Sequence, residues 1–114
     1  MSVADDLKLI MDKIPEALVP EKAAGLTAII QLNLDGDGGG RWYFRLDNGQ
    51  ITVHTGEADR PNLTLSMLAR DYVALSLGQA SPMGLFMGGK IKVQGDLSLA
   101  MKFPELFDRD RVSD

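Results

Sequence analysis

The sequence predicts an α+β domain, in which about five helices cover one face of a five-stranded, mostly antiparallel sheet. Hydrophobic residues recur at helical spacing over the first 14 positions. From Leu26 onward the period changes to two, which is the period of a strand with one buried face. The last third then shows two short helical patterns separated by a strand pattern.

The N-terminal segment predicts a helix that begins after Ser2 and ends at Pro15. Ser2 can accept a hydrogen bond from the first turn, and Asp5 suits the positive end of the helix dipole. A second, shorter helix is predicted over residues 20–24, closed by Gly25.

Three strands follow, joined by short connections. Residues 26–34 and 41–46 alternate apolar and polar side chains, and so do residues 50–55. Asn48-Gly49 is typical of a tight hairpin turn, because both residues tolerate positive φ. These segments predict an antiparallel meander with one dry and one wet face.

The second half predicts two more strands and three more helices. Ser66 is predicted to cap a helix that Gly78 ends, and Ser81-Pro82 to begin another. Asp96 caps the last helix, which Pro104 kinks or ends. The strands are predicted at residues 62–65 and 90–94, the latter at an exposed edge because its outward residues are lysines. We divide the chain into one domain, residues 1–107, and a solvated tail, residues 108–114.

Composition excludes several function classes. The 114 residues fit one domain, and the absence of cysteine removes disulfides, thiolate metal sites and cysteine nucleophiles. A formal net charge of −4 disfavours nucleic-acid binding. No apolar run is long enough to span a membrane and no secretory pattern opens the sequence, so we expect a cytoplasmic protein.

The motifs that could carry chemistry are incomplete. The loop 35–40 lacks the third glycine of a dinucleotide fingerprint, and Leu46 stands where a calcium loop needs glutamate. Residues 84–90 match most of a P-loop, but Ile91 stands where magnesium needs Ser or Thr. His54, the only histidine, falls on the wet face. We therefore expect no enzyme activity, no metal and no cofactor.

The last third of the sequence contains more hydrophobic residues than helices need to cover one face of a sheet. Residues 82–87 are apolar on every side, and the last helix carries apolar residues on more than one side. Two interpretations follow. These side chains fill an ordinary core or a dimer interface, or they line a cavity that an apolar ligand occupies. Methionine suits the second, since it repacks around varied shapes.

Residues 26–103 resemble the sterol carrier protein type 2 family. The clearest stretches are residues 71–75 and the segment Phe86–Gly95, which reads F-x-x-G-K-I-K-V-x-G, followed by Leu97-Ser98-Leu99-Ala100-Met101-Lys102. Trp42-Tyr43-Phe44, Asn48-Gly49 and residues 62–66 stand where the family has its hairpin and fourth strand.

The resemblance implies a non-catalytic domain with an apolar tunnel between sheet and helices. Its ligand would be a long-chain fatty acid, acyl-CoA, a sterol-like or another apolar lipid, with transient contact to membranes or lipid enzymes. Alternatives are a structural or oligomerisation domain, and a carrier that presents an isoprenoid quinone precursor to enzymes. We expect a monomer or weak dimer. By this analogy the tunnel-lining residues are Trp42, Phe44, Leu75, Phe86, Met87, Leu97 and Met101.

The C-terminal tripeptide departs from part of that family. Peroxisomal members end in a small-basic-Leu tripeptide, whereas this sequence ends Val112-Ser113-Asp114. The resemblance therefore favours a bacterial-type cytosolic member, with acyl chains or isoprenoid lipids as better ligand candidates than sterol.

Overall fold

The computed structural model describes residues 2–111, and of Arg109 only the backbone. It contains five α-helices, five strands and two 3₁₀ turns in these residues. In chain order they are α1 (Val3–Ala17), α2 (Pro20–Ala23), β1 (Thr27–Asp35), β2 (Gly40–Asp47), β3 (Gln50–Thr55), β4 (Leu63–Leu68), α3 (Ala69–Ser76), α4 (Pro82–Met87), β5 (Lys92–Gly95), α5 (Leu97–Lys102) and the 3₁₀ turns Phe103–Leu106 and Arg109–Arg111.

The strands form one mixed sheet in the order β3-β2-β1-β4-β5. Only the β1–β4 pair is parallel, and the other three pairs are antiparallel. Asn48 and Gly49 both have positive φ, at 46° and 89°, as the predicted hairpin between β2 and β3 requires. The predicted α+β class and five-stranded, mostly antiparallel sheet are thus confirmed.

Strand register fixes which side chains share the dry face. Ile30 of β1 lies opposite Phe44 of β2 and Leu63 of β4, and the exposed fraction of all three is zero. Helix α1 packs against β3 and α3, while α5 packs against β4 and β5. Phe44 also stacks on Phe103, with ring centroids 6.0 Å apart. The centre of the dry face is therefore filled by the protein's own side chains.

The C-terminal residues are tied to the segment that links α1 and α2. The Val19 N–H donates to the Leu106 carbonyl, and the Asp108 N–H donates to the Ala17 carbonyl, each at 2.8 Å. Of the predicted tail 108–114, residues 109–111 form a 3₁₀ turn that packs near α1. Residues 112–114 lie outside the described residues.

Two predicted boundaries fail because of tertiary burial, and β5 begins at Lys92 instead of the predicted Lys90. Helix α1 continues past Pro15 to Ala17, because Ala17 and Leu18 bury their side chains. Ser66 does not cap α3, because β4 continues to Leu68 in register with β1 and buries Met67 on the way. In both places tertiary burial outweighs the local signal.

Within residues 2–111, no helix is both long enough and apolar enough to cross a membrane.

Candidate functional site

Exposed apolar side chains are concentrated in one part of the chain. Of the eight large hydrophobic residues that are exposed in the described chain, six lie between positions 77 and 101. We call these six the apolar face: Leu77, Met83, Phe86, Met87, Leu97 and Met101. Met87 is 78% exposed and Met101 72%, whereas single exposed hydrophobics on ordinary surfaces are scattered. This concentration in one segment makes it the candidate for an interaction or ligand surface.

Helix α4 is exposed although it has no polar side to turn outward. Ser81 caps it by accepting a hydrogen bond from the Gly84 N–H at 3.3 Å, and Pro82 occupies its first turn, as predicted. Its sequence Pro-Met-Gly-Leu-Phe-Met is apolar on every side, and none of its six residues is buried. The local signals form the helix, but the rest of the protein does not cover it.

Half-buried apolar residues connect this face to the core. Leu75 on α3, Ile91 and Val93 around β5, and Ala100 and Phe103 at α5 all pack against the core while remaining partly accessible. Val93 lies opposite the buried Leu65, which places it on the dry face at the sheet edge. Burial therefore falls gradually from β1 outward to α4 and α5.

Two open cavities border the dry face. One of about 440 Å³ lies between α1, the β1–β2 loop and β3, and Leu7, Met11, Trp42, Val53 and His54 are among its lining residues. The other, of about 260 Å³, lies at the start of β1 beside α5. Its lining mixes apolar and polar groups, including Leu26, Leu99, Asn62, Asp96 and Lys102.

The seven predicted lining residues fall into three environments. Leu75, Phe86, Met87, Leu97 and Met101 belong to α3, α4 and α5, where Leu75 is half-buried and the other four are exposed.

The remaining two of the seven lie elsewhere. Phe44 is fully buried in the core, and Trp42 lines the 440 Å³ cavity under α1. Sequence reasoning did not select Leu77, Met83, Ile91 or Val93. The alternation of residues 90–94 could have identified Ile91 and Val93 as dry-face residues.

His54 and Gln31 make contacts that stabilise the fold. His54 lies on the wet face as predicted, where it stacks on Tyr43 with ring centroids 4.9 Å apart and its Nε2 is 2.9 Å from the Thr52 hydroxyl. The side-chain amide of the buried Gln31 donates hydrogen bonds to Asn33 Oδ1 and to the Gly56 carbonyl, and it accepts one from the Ala58 N–H. It thereby holds the β3–β4 loop against the sheet.

Among the described residues, one titratable group has a clearly shifted pKa. Burial raises the pKa of the Tyr72 phenol well above its usual range, and a hydrogen bond with Ser76 opposes that shift to a smaller extent. Tyr72 therefore stays protonated above the pH at which an ordinary tyrosine ionises. In the described residues, no group of three His, Asp or Glu side chains could hold a metal ion.

Comparisons with known proteins place this chain in one family. The model of the SCP-2 sterol transfer family matches residues 7–108. Hydroxysteroid dehydrogenase-like protein 2 of Xenopus tropicalis is 36% identical over 93 residues, which are 80% of this chain and 22% of that protein. The chain spans about a fifth of the length of the curated relatives it matches.

Solved structures agree with this match over nearly whole chains. Palmitated SCP2L2 from Aedes aegypti has a TM-score of 0.74 at 26% identity, covering 92% of this chain and 93% of its own. The apo form of Sterol Carrier Protein 2 from Yarrowia lipolytica has a TM-score of 0.71 at 27% identity, covering 86% of each chain. This chain belongs to the SCP-2 sterol transfer family.

Proposed function

We propose that this protein is a non-catalytic lipid carrier that holds the hydrocarbon part of its ligand against the apolar face and the half-buried residues beneath it. The observation that carries the proposal is the concentration of exposed apolar side chains on α4 and α5, next to an accessible edge of the core. Water-exposed hydrophobic surface of this kind gains free energy when a hydrocarbon covers it.

The expected affinity follows from the area that a lipid tail would bury. A palmitoyl chain has about 15 methylenes, each contributing about 0.8 kcal/mol on full burial, which gives an upper bound near 12 kcal/mol. Lost ligand freedom and partial exposure reduce this, so we expect dissociation constants of about a micromolar. Since methylenes carry no direction, the site should tolerate different chain lengths and head groups.

Among the ligand classes, we favour fatty acids and acyl-CoA. Family membership supports lipid binding in general, and the related SCP2L2 structure is described as palmitated. An isoprenoid quinone precursor is the alternative cargo, because its tail has the same apolar chemistry. Leu75, Phe86, Met87, Leu97 and Met101 are the proposed contacts of the tail. The lining roles of Phe44 and Trp42 stay predictions, since Phe44 is fully buried and Trp42 lies at the cavity under α1.

The test compares two substitutions that introduce the same charge on different surfaces. Met101→Glu places a carboxylate on the apolar face, and Leu9→Glu places one at an exposed hydrophobic position on α1. With delipidated protein and a fluorescent long-chain fatty acid, we expect Met101→Glu to weaken binding at least about tenfold, because the ligand would desolvate a charge. Leu9→Glu should bind as the unaltered protein does.

Three outcomes would contradict the proposal. Delipidated protein that binds no long-chain probe at tens of micromolar would refute lipid binding. Equal affinities of folded Met101→Glu and unaltered protein would remove the apolar face from the site. A tight dimer in sedimentation that Met101→Glu dissociates, without any lipid binding, would support the structural alternative.

A further inference from the structure

We infer that Met83, Met87 and Met101 are sites of reversible oxidation by peroxide, and that their oxidation weakens lipid binding. The inference rests on the proposed function and adds how binding at that site would be regulated. Oxidation turns the apolar methionine side chain into a polar sulfoxide and disrupts contacts that methionine makes. A thioether that a hydrocarbon covers is therefore a position at which oxidation changes the affinity.

The methionines of this chain differ sharply in exposure. The sequence contains six, of which Met1 lies outside the described residues. Met11 and Met67 are buried in the core. The other three are exposed to 62%, 78% and 72%, in the order Met83, Met87 and Met101. Every methionine that is exposed within residues 2–111 therefore belongs to the apolar face.

Helical spacing groups the exposed thioethers with other apolar side chains. Met83 and Met87 are four residues apart on α4, so they lie on the same side of that helix. Leu97 and Met101 are four residues apart on α5, and Leu97 is exposed as well. Each helix thus presents an exposed apolar pair that includes a thioether. A hydrocarbon that covers either pair contacts sulfur.

The oxidation requires only the thioether and a hydroperoxide. The sulfur lone pair attacks one oxygen of hydrogen peroxide, the O–O bond breaks, and hydroxide leaves. Sulfur loses two electrons and the peroxide gains them. The proton of the transferred hydroxyl passes to the hydroxide, which gives sulfoxide and water. Because the sequence contains no cysteine, no thiol of this chain competes for the oxidant.

Leucine provides a matched replacement for methionine at this face. The two side chains have similar volume and both are apolar, but leucine has no sulfur to oxidise. Three of the six residues of the apolar face, namely Leu77, Phe86 and Leu97, already lack sulfur. Leucine at the other three positions should therefore preserve the hydrocarbon contact and remove only its response to peroxide.

The experiment oxidises delipidated protein with hydrogen peroxide and locates the sulfoxides by peptide mass spectrometry. We expect the three exposed methionines to oxidise severalfold faster than Met11 and Met67, whose sulfur atoms are shielded from the oxidant. The oxidised protein should bind a fluorescent long-chain fatty acid about fivefold more weakly or worse, because the ligand would desolvate sulfoxide oxygens. Methionine sulfoxide reductases A and B together should restore the affinity, since each enzyme reduces one sulfoxide epimer.

Two variants assign the effect to these positions. Met83→Leu/Met87→Leu/Met101→Leu should bind the fatty acid within about twofold of the unaltered protein, both before and after peroxide treatment. Met11→Leu, the matched change in the core, should lose affinity on peroxide treatment as the unaltered protein does.

Protection by bound lipid is a second measurement that needs no substitution. Palmitate at about 100 times its dissociation constant occupies nearly every molecule. It should slow the oxidation of Met87 and Met101 severalfold, because a hydrocarbon that covers the sulfur atoms excludes the oxidant. The oxidation rate of Met11 should not change.

Failure of this inference differs from failure of the proposed function. Unoxidised protein that binds no long-chain fatty acid would refute the proposed function, and the regulation with it. Oxidised protein that binds as tightly as unoxidised protein would overturn the regulation alone and leave these methionines a packing role. An equal loss on peroxide treatment in the triple leucine variant would also overturn it, as would unchanged oxidation of Met87 and Met101 under bound palmitate.

Discussion

Helices α1 and α4 use similar apolar residues and reach opposite outcomes. In α1 the hydrophobic residues form one stripe, which buries Leu7, Met11 and Ile14, and charged residues occupy the opposite side. In α4 every side is apolar and no residue is buried. Apolar periodicity, more than apolar content, therefore distinguishes a helix that completes the core from one that remains available to a ligand or surface.

The same contrast separates two phenylalanines. Phe44 on β2 is completely buried beneath Phe103, whereas Phe86 on α4 is 49% exposed. We expect Phe44→Ala to lower the free energy of unfolding by about 3–5 kcal/mol, because it removes a buried ring and leaves a cavity. Phe86→Ala should lower it by less than about 1 kcal/mol. Urea unfolding of both variants without lipid measures the difference.

Equal losses at the two positions would contradict this comparison. A large loss for Phe86→Ala would mean that α4 is part of the cooperative core in solution. The comparison would then have to be repeated with bound lipid removed under denaturing conditions, since a retained ligand stabilises the folded state.

Hydrogen exchange tests whether a bound ligand covers the exposed helix α4. Amides of α4 should exchange early in the lipid-free protein, because few buried contacts oppose local opening. Saturation with palmitate at about 100 times its dissociation constant should raise the protection free energy of the α4 amides by up to about 2.7 kcal/mol and so slow their exchange. The first turn of α1 should be unaffected at short labelling times. Protection that appears in α1 and not in α4 would move the ligand to the other region.

The sequence predicted the sheet and helices well because each has a local signal. Alternation defined β1 to β3, Asn48-Gly49 defined the hairpin, and Ser2 and Ser81 defined helix starts that the structure confirms. The boundaries at Pro15 and Ser66 failed, because burial of Ala17 and Met67 is a tertiary effect. Local pattern does not report which neighbour will cover a residue.

The candidate site was harder to predict for the same reason. The family resemblance selected Phe44 together with Phe86, although one fills the core and the other is exposed. Only the packing of the layers separates them.

Tyr72 tests the buried region through its ionisation. Burial keeps the phenol neutral in the folded protein, so its pKa is higher there than in the unfolded chain. The contribution of this pKa difference to the free energy of unfolding is complete below the ordinary tyrosine pKa near 10, and it is lost as the pH rises above that value. Above that pH, unaltered protein should lose up to about 1.4 kcal/mol of unfolding free energy per pH unit more than Tyr72→Phe.

The control for this measurement is the other tyrosine. Tyr43→Phe removes a phenol from the wet face, where the ring stacks on His54. Urea unfolding at a series of alkaline pH values should give a shallower slope for Tyr72→Phe than for Tyr43→Phe. Identical slopes would mean that the Tyr72 phenol reaches water in the folded state.

The smallest expected effect concerns Trp42, whose indole reports on the cavity beneath α1. It is the only tryptophan in the sequence, so its emission senses that region alone. The fully buried Ile30, Leu32 and Phe44 fill the dry face between this cavity and the edge strand β5. A hydrocarbon bound at the apolar face should therefore leave Trp42 emission nearly unchanged while it saturates. A saturable shift with the same midpoint as fatty-acid binding would place the tail, or its far end, beside Trp42. The predicted lining role of that residue would then hold, and the core side chains between the two regions would have to move to admit the ligand.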